Sequence, residues 1–456
     1  MFSSIKSIFY DREMTIKSFY SLVLKIIGSA FGYLLLLLVG NLFNDPTKVW
    51  GEYTLFLAVL NITSIFSRTG IDKIALKLVA AADQDIGVVR SVYLSSLRLI
   101  FIISIFCSIV VFLISEFLIH NILSGSAIGE EIIFLIIFII PIFSIICLNE
   151  NTLRGLKRIK EFAFFQRTAK MLFSVFFFLL LFFGFNIINN LVVIQAYIIS
   201  LLLIFLLSSY RIYLILFKEK IECNFISYFH LLKQALPMML SSSILLLMSW
   251  ADTLMLGFFL EDNIKQESIG VYNAAVKIAL SATLVISAVN SIVAPKISES
   301  YNNNRIIEFQ NIIYRSTRLI FYSTLPILVV IFFYPEDILF LFGKDFSIPS
   351  AVFALIILAI SQAINAMSGS VGTILNMTGK QKEYGNILVV ALFINILLNY
   401  ILIPKGNFGL NLPIDGIKGA AIASSFSLIF WNICSVIYIY KKYQVLTSIS
   451  FIKNKV

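Results

Sequence analysis

Six ionisable residues stand inside, or at the mouths of, long apolar stretches, and they are the groups with most scope for chemistry: Lys25, Arg98, Glu150, Arg154, Asp252 and Lys277. An ionised side chain at the centre of a bilayer costs at least about 2.5–3.5 kcal/mol on insertion scales, so each needs a partner or a task. Lys25 lies about eight residues into the first apolar stretch, roughly 12 Å below one membrane surface at the helical rise. It reads either as a cation on a cavity wall, meeting an anionic headgroup, or as a long stem snorkelling to the interface. Asp252 and Lys277 fall at similar depth on successive stretches, placed to form an ion pair that offsets two desolvation costs. If that pair opens, Asp252 is free to take a coupling cation or proton and Lys277 to face an anion. Glu150 and Arg154 are one turn apart, a spacing that suits an i,i+4 pair and also a gate at the inner mouth. Arg98, near the start of the third stretch, reads as interfacial, as do Arg68, Asp72 and Lys73 beside the second.

The elements that must position these groups are set by composition. Only 13% of the 456 residues are charged and 59% are apolar, against about 25% and 45–50% in a soluble domain. A helical crossing of the hydrocarbon core takes roughly 20 apolar residues. Twelve stretches are read as crossings: 18–43, 53–66, 93–115, 132–153, 162–185, 191–217, 236–260, 269–294, 314–334, 349–377, 384–403 and 416–440. The second is short and borrows residues between 50 and 69. The expected fold is therefore an all-α integral membrane protein with twelve transmembrane helices. Pro141, Pro237 and Pro326 lie in or near span starts, where a proline kinks a helix. The 43 Phe, many between 173 and 185, read mostly as lipid-facing bulk.

Charge sets the expected topology. Of 35 Lys and Arg, 27 fall in alternate loops together with the N-terminus, 5 on the other side and 3 (Lys25, Arg98, Lys277) within spans. The inner group counted this way includes Arg167 and Lys170. The positive-inside rule then places both termini in the cytoplasm. The net charge of +10 follows from that distribution and is no nucleic-acid footprint. The segment before residue 18 is polar, and no cleavable signal peptide is expected. Cys107, Cys147, Cys223 and Cys434 show no metal or redox spacing and read as free thiols.

The two halves echo each other. "GNLFND" at Gly40 returns as "GFFLED" at Gly257, "GEY" at Gly51 as "GVY" at Gly270, and Lys160-Glu161 as Lys382-Glu383, with slowly growing offsets of 217, 219 and 222. Six crossings per half is even, so both halves enter the membrane from the same side. A parallel repeat follows, related by a pseudo-two-fold axis along the membrane normal. The expected division is 1–220 and 221–456, each a six-helix bundle, with 218–235 as connector. No phosphate-binding loop is present, since Ile374 stands where one ending in Gly379-Lys380 requires glycine. With two histidines, His120 and His230, no metal cluster or cofactor is expected. The outer loops are short, the longest about 116–131, and no enzyme is expected.

Several motifs carry a resemblance. "WADTLMLGFFL" (250–260) contains Asp-x-x-Met-Leu-Gly. It is followed by "GVYNAAVKIA" (270–279), "APKISE" (294–299), "LNMTGKQK" (375–382), "LIPKGNFG" (402–409) and "GIKGAAIAS" (416–424). In these the chain resembles the multidrug/oligosaccharidyl-lipid/polysaccharide exporter superfamily, and within it the polysaccharide-repeat flippases of the Wzx type. Thr253 departs from the arginine that many relatives carry after the aspartate. The resemblance implies a MATE-like arrangement with a cavity between two bundles in a bacterial inner membrane. It implies translocation of undecaprenyl-diphosphate-linked oligosaccharide (an O-antigen or capsule repeat unit) from the cytoplasmic to the outer leaflet, beside other polysaccharide-assembly membrane proteins. Lys25 and Lys277, helped by Arg98, would then receive the diphosphate, with Asp252, Glu150 and Arg154 in coupling or gating and H+ or Na+ as possible coupling ions. The alternatives are a cation-coupled multidrug exporter of the same fold and a peptidoglycan-precursor flippase. Mid-membrane charge that leans basic favours an anionic cargo over a cationic drug.

Overall fold

The computed structural model describes residues 12–82, 85–123, 127–218, 227–404, 414–445 and 447. Cys223, the middle of the expected connector and most of "LIPKGNFG" lie outside the described residues, as do the side chains of His230 and Pro237. Among the described residues regular structure is helical, with no strand. That is the outcome lipid demands, because a helix satisfies its own backbone N–H and C=O groups. Among the described residues, eleven helices are long and apolar enough to cross a membrane. The helix at the seventh expected position, Tyr228–Phe259, has 32 residues, well beyond the roughly 20 a crossing needs.

Packing divides the chain into two compact units. The first takes Val23–Phe258 and Asp262–Glu267; the second takes Met1–Leu22, Phe259–Glu261 and Ser268–Val456. In the first unit, α1 (Arg12–Leu42, from Val23 onward) is followed by α2 (Pro46–Arg68), α3 (Ile71–Ala81), α4 (Ile86–Leu113), α5 (Ser115–Asn121) and α6 (Ala127–Gly155). Then α7 (Ile159–Ala163) runs through a π turn at Phe164–Ala169 into α8 (Lys170–Leu179), before α9 (Val192–Leu216) and α10 (Tyr228–Phe259). The centre of this unit is α6, which packs on α2, α3, α4 and α9. Short hydroxyl residues let these helices approach and bond across their interfaces, as is usual in membranes. Ser67 and Ser144 share a hydrogen bond of 2.5 Å, Ser174 and Ser200 one of 3.0 Å, and Ser108 donates to the Ile137 carbonyl at 2.9 Å.

The second unit comprises α11 (Lys265–Ala279, from Ser268), α12 (Ser281–Asn302), α13 (Ile306–Phe333), α14 (Pro335–Leu341), α15 (Pro349–Ser368), α16 (Val371–Met377), α17 (Gln381–Leu402) and α18 (Gly416–Tyr443). Here α18 packs on α15 and α17, and α13 on α12 and α15.

Three expectations change at the level of elements. The second span begins at Pro46, well before residue 53, because proline fits the first helical turn and because 72% of its most apolar window is buried in protein, where polar residues are tolerated. The tenth span stops at Ser368, and α16 is a separate helix. Gly369 sits between them at φ 73°, a left-handed conformation, and a side chain there would strike Thr317. The Phe-rich fifth span is not all lipid-facing: Phe178 and Phe182 are buried and pack with Phe43, while Phe176 and Phe183 are exposed.

Candidate functional site

The first unit encloses an unusual number of charges for a membrane interior, and α6 presents several of them. Glu150 on α6 and Lys170 at the start of α8 are both buried and form an ion pair of 2.8 Å. The ammonium also lies 5.0 Å from the centre of the Phe143 ring, a favourable cation–π approach. The expected pairing of Glu150 with Arg154 is therefore replaced. Glu150 turns inward to α8, and Arg154 instead sets its guanidinium 5.3 Å from the Phe162 ring centre. A second cluster joins α2, α3 and α6. Arg68 contacts Asp72 at 3.3 Å, Lys73 reaches the same carboxylate at 3.5 Å, and Asn151 donates to it at 3.0 Å. These residues read as interfacial in the sequence, yet Asp72 is fully buried because α3 folds back against α6.

Two residues before Asn151, Asn149 links three elements. Tyr93 donates to its carbonyl at 2.8 Å, and its amide donates to Ser208 and Ser209 at 3.0 and 3.1 Å. Glu52 on α2 is buried as well, and its Oε2 accepts no hydrogen bond among the described residues.

At one end of the unit the pairing runs out. The close approach of α1 to the π turn brings Lys25 there: a Cβ on Gly28 would lie 3.0 Å from the Thr168 backbone, and Thr168 donates to the Leu24 carbonyl at 2.6 Å. Lys25 is half-buried and feels the positive charges of Arg154 and Arg167, both exposed. Several other cations of this unit are met by acids. Arg211 grips Glu161 with two hydrogen bonds of 2.8 and 3.0 Å, Arg158 reaches it at 2.9 Å, and Arg68, Lys73 and Lys170 have partners already described. Among the described residues no carboxylate pairs with Lys25, Arg154 or Arg167. Three like charges gathered this way repel one another, and two of them are guanidinium groups, whose fork geometry suits phosphate.

The remaining expected residues fall on other helices. Asp252 is buried on α10 in the first unit, and Lys277 is half-buried on α11 in the second. Arg98 is exposed on α4, twelve residues after its first residue, Ile86. In the "TGKQK" motif, Lys380 donates to Glu383 at 3.2 Å, which raises its pKa above the ordinary lysine value. Among the described residues no group of three His, Cys, Asp or Glu is placed to hold a metal ion. Sequence reasoning passed over Arg167 and Lys170 by counting them with the inner loop, although both fall inside the stretch read as the fifth span. It also passed over Glu52, which lies in the part the second span borrows from 50 onward.

Residues 15–301 match the family described as polysaccharide biosynthesis protein, and residues 237–401 match the MatE family. Over 208 residues the chain is 28% identical to a probable flippase, AglR, of Haloferax volcanii, covering 45% of this chain and 41% of that one. It is 24% identical to an uncharacterized transporter, YisQ, of Bacillus subtilis over 48% and 47%. The chain thus spans less than half the length of the curated relatives it matches. Among solved structures it superposes on the lipid II flippase MurJ in an inward closed conformation with TM-score 0.72 at 15% identity, covering 94% and 89% of the two chains. An inward-facing MATE multidrug transporter gives 0.71 at 14% over 93% and 94%. These likenesses establish a MATE-like all-α fold.

Proposed function

The chain belongs to the polysaccharide biosynthesis protein family, and we propose that it is a flippase for a polyprenyl-diphosphate-linked oligosaccharide. The cargo in this reading is a repeat unit of the O-antigen or capsule kind, moved by alternating access from the cytoplasmic to the outer leaflet of a bacterial inner membrane. Both termini are then cytoplasmic, and 1–220 and 221–456 are the two like-oriented repeats. One observation carries the proposal: Lys25, Arg154 and Arg167 gather where α1 meets the π turn, and among the described residues no carboxylate pairs with them. A diphosphate brings the charge this patch lacks, and its oxygens match the two guanidinium forks. A cationic drug would be repelled there.

Lys277 and Arg98 serve the same headgroup at other stages of its passage. The buried acids Asp252 and Glu52 are the groups for coupling to H+ or Na+, because a buried carboxyl gains most from binding a cation. Glu150 holds Lys170 away from the cargo, while Arg154 meets it.

The test uses the full chain in proteoliposomes with a fluorescent polyprenyl-diphosphate oligosaccharide. A hydrogen bond to a charged group is worth about 1.5–3 kcal/mol, so Arg154→Gln and Arg167→Gln should each slow flipping roughly tenfold or more, and Lys25→Gln comparably. Protein level and thermal midpoint should not change. Unaltered flipping by the triple variant would reject the anion site.

A further inference from the structure

Between α12 and α13 of the second unit runs a groove of about 1180 Å³. Ile292 and Lys296 line it on α12, one turn apart, and Ile312, Arg315 and Leu319 line it on α13 at i, i+3 and i+7. These spacings put each set on a single helical face. Arg305 stands at the mouth, in the turn between the two helices.

The groove has the polarity of a membrane lipid. Three cations line it against one acid, Glu308, which Arg305 approaches at 3.5 Å, and Arg305 also reaches the exposed Glu299 outside the lining at 3.9 Å. Both pairs are exposed, and exposed pairs hold little energy against a competing phosphate. Lys296 lies six residues before the end of α12, about 9 Å from the turn, and Arg315 lies about 14 Å into α13. Both side chains are long enough to extend a charged head back toward the mouth while their stems cover the apolar wall. The lining ends at Leu319, about 20 Å along α13 at the helical rise. That is close to half of the roughly 40–45 Å that a bilayer measures with its headgroups, so the groove is one leaflet deep.

Basic pockets between transmembrane helices bind anionic headgroups. We propose that this groove is a binding site for one anionic phospholipid of the leaflet at the 302–305 turn. Arg305, Lys296 and Arg315 receive its phosphate, and an acyl chain lies along Ile292, Ile312 and Leu319. The apolar length excludes a free phosphate as the matching ligand, and the one-leaflet depth is too short for a tail longer than an acyl chain.

Native mass spectrometry of the full chain in detergent tests this, with phosphatidylglycerol as probe and phosphatidylcholine as reference. The chain should retain one phosphatidylglycerol at a concentration roughly tenfold below that needed for phosphatidylcholine. Lys296→Gln/Arg305→Gln/Arg315→Gln should abolish the preference. Ile312→Trp keeps every charge and fills the groove, and it should lower occupancy by a similar factor, so the test survives if the triple variant fails to fold. Equal retention of the two lipids by the unaltered chain would overturn the proposal, as would phosphatidylglycerol binding that Ile312→Trp leaves unchanged. Selective retention of an added polyprenyl diphosphate in place of phosphatidylglycerol would also overturn it.

Discussion

The two units handle polar groups inside lipid by different chemistry. The interior of the first holds full charges in pairs: Glu150 with Lys170, and Asp72 with Arg68, Lys73 and Asn151. The interior of the second holds neutral amides, with Gln362, Asn365, Asn395, Asn399 and Asn432 all buried. Asn365 donates to Gln362 at 3.1 Å and Asn432 to the Leu428 carbonyl at 2.9 Å. An amide carries its donor and acceptor together and leaves little behind when it is replaced, whereas a buried ion is stable only while its counter-ion stays. Glu150, Lys170 and Asp72 in the first unit are thus paired, whereas at Lys25, Arg154 and Arg167 no carboxylate among the described residues forms a pair.

The sharpest way to break the comparison is Lys170→Ala. Removing one partner of a buried pair typically costs 3–5 kcal/mol, because the other charge is left unpaired. The expected outcome is a large drop in thermal midpoint in detergent, or loss of inserted protein. Glu150→Leu/Lys170→Met replaces both charges by apolar groups of similar volume and should recover most of that loss. If the single and double variants were equally unstable, the ion pair would not be the source of the effect.

Why Lys170 was not singled out from sequence is itself a physical matter. The apolar stretches, their number and the all-α class follow from composition, because lipid leaves the backbone so few options. A cation near a span end, however, has the same sequence signature whether it faces headgroups or turns inward. Arg167 and Lys170 lie three residues apart near the start of one stretch, and the π turn before Lys170 helps to set them in different surroundings: one exposed, one buried against Glu150. Periodicity counted at 3.6 residues per turn cannot anticipate that break. Lys25 was legible because it stands alone in an apolar stretch. Arg154 was legible beside Glu150, but its nearness to Lys25 and Arg167 was not, since only tertiary packing at Gly28 joins α1 to the π turn. The amides of the second unit left a faint trace, Asn395 and Asn399 falling one turn apart on α17.

A middle-sized effect is expected at that joint. Gly28→Leu forces atoms into the 3.0 Å approach to the Thr168 backbone, and overpacking of this kind costs about 1–3 kcal/mol. It should also move Lys25 away from Arg167, so flipping of a polyprenyl-diphosphate oligosaccharide should fall even in preparations held below their melting range. A variant that lost stability and kept full transport would separate the patch from the α1 contact.

The smallest effect belongs to the second unit. Asn432 spends its amide on a carbonyl of its own helix, and its Oδ1 has no partner among the described residues. Interhelical hydrogen bonds in membranes average only about 0.6 kcal/mol, and this one does not cross between helices. Replacing a buried polar group whose acceptor is unsatisfied by an apolar one of similar shape is close to neutral or mildly stabilising. Asn432→Leu should accordingly shift the thermal midpoint upward or by no more than the equivalent of about 0.6 kcal/mol, beside the several kcal/mol at Lys170. A loss as large as that of Lys170→Ala would mean that amides in the second unit bear strain comparable to the ion pairs of the first, and the contrast between the units would dissolve.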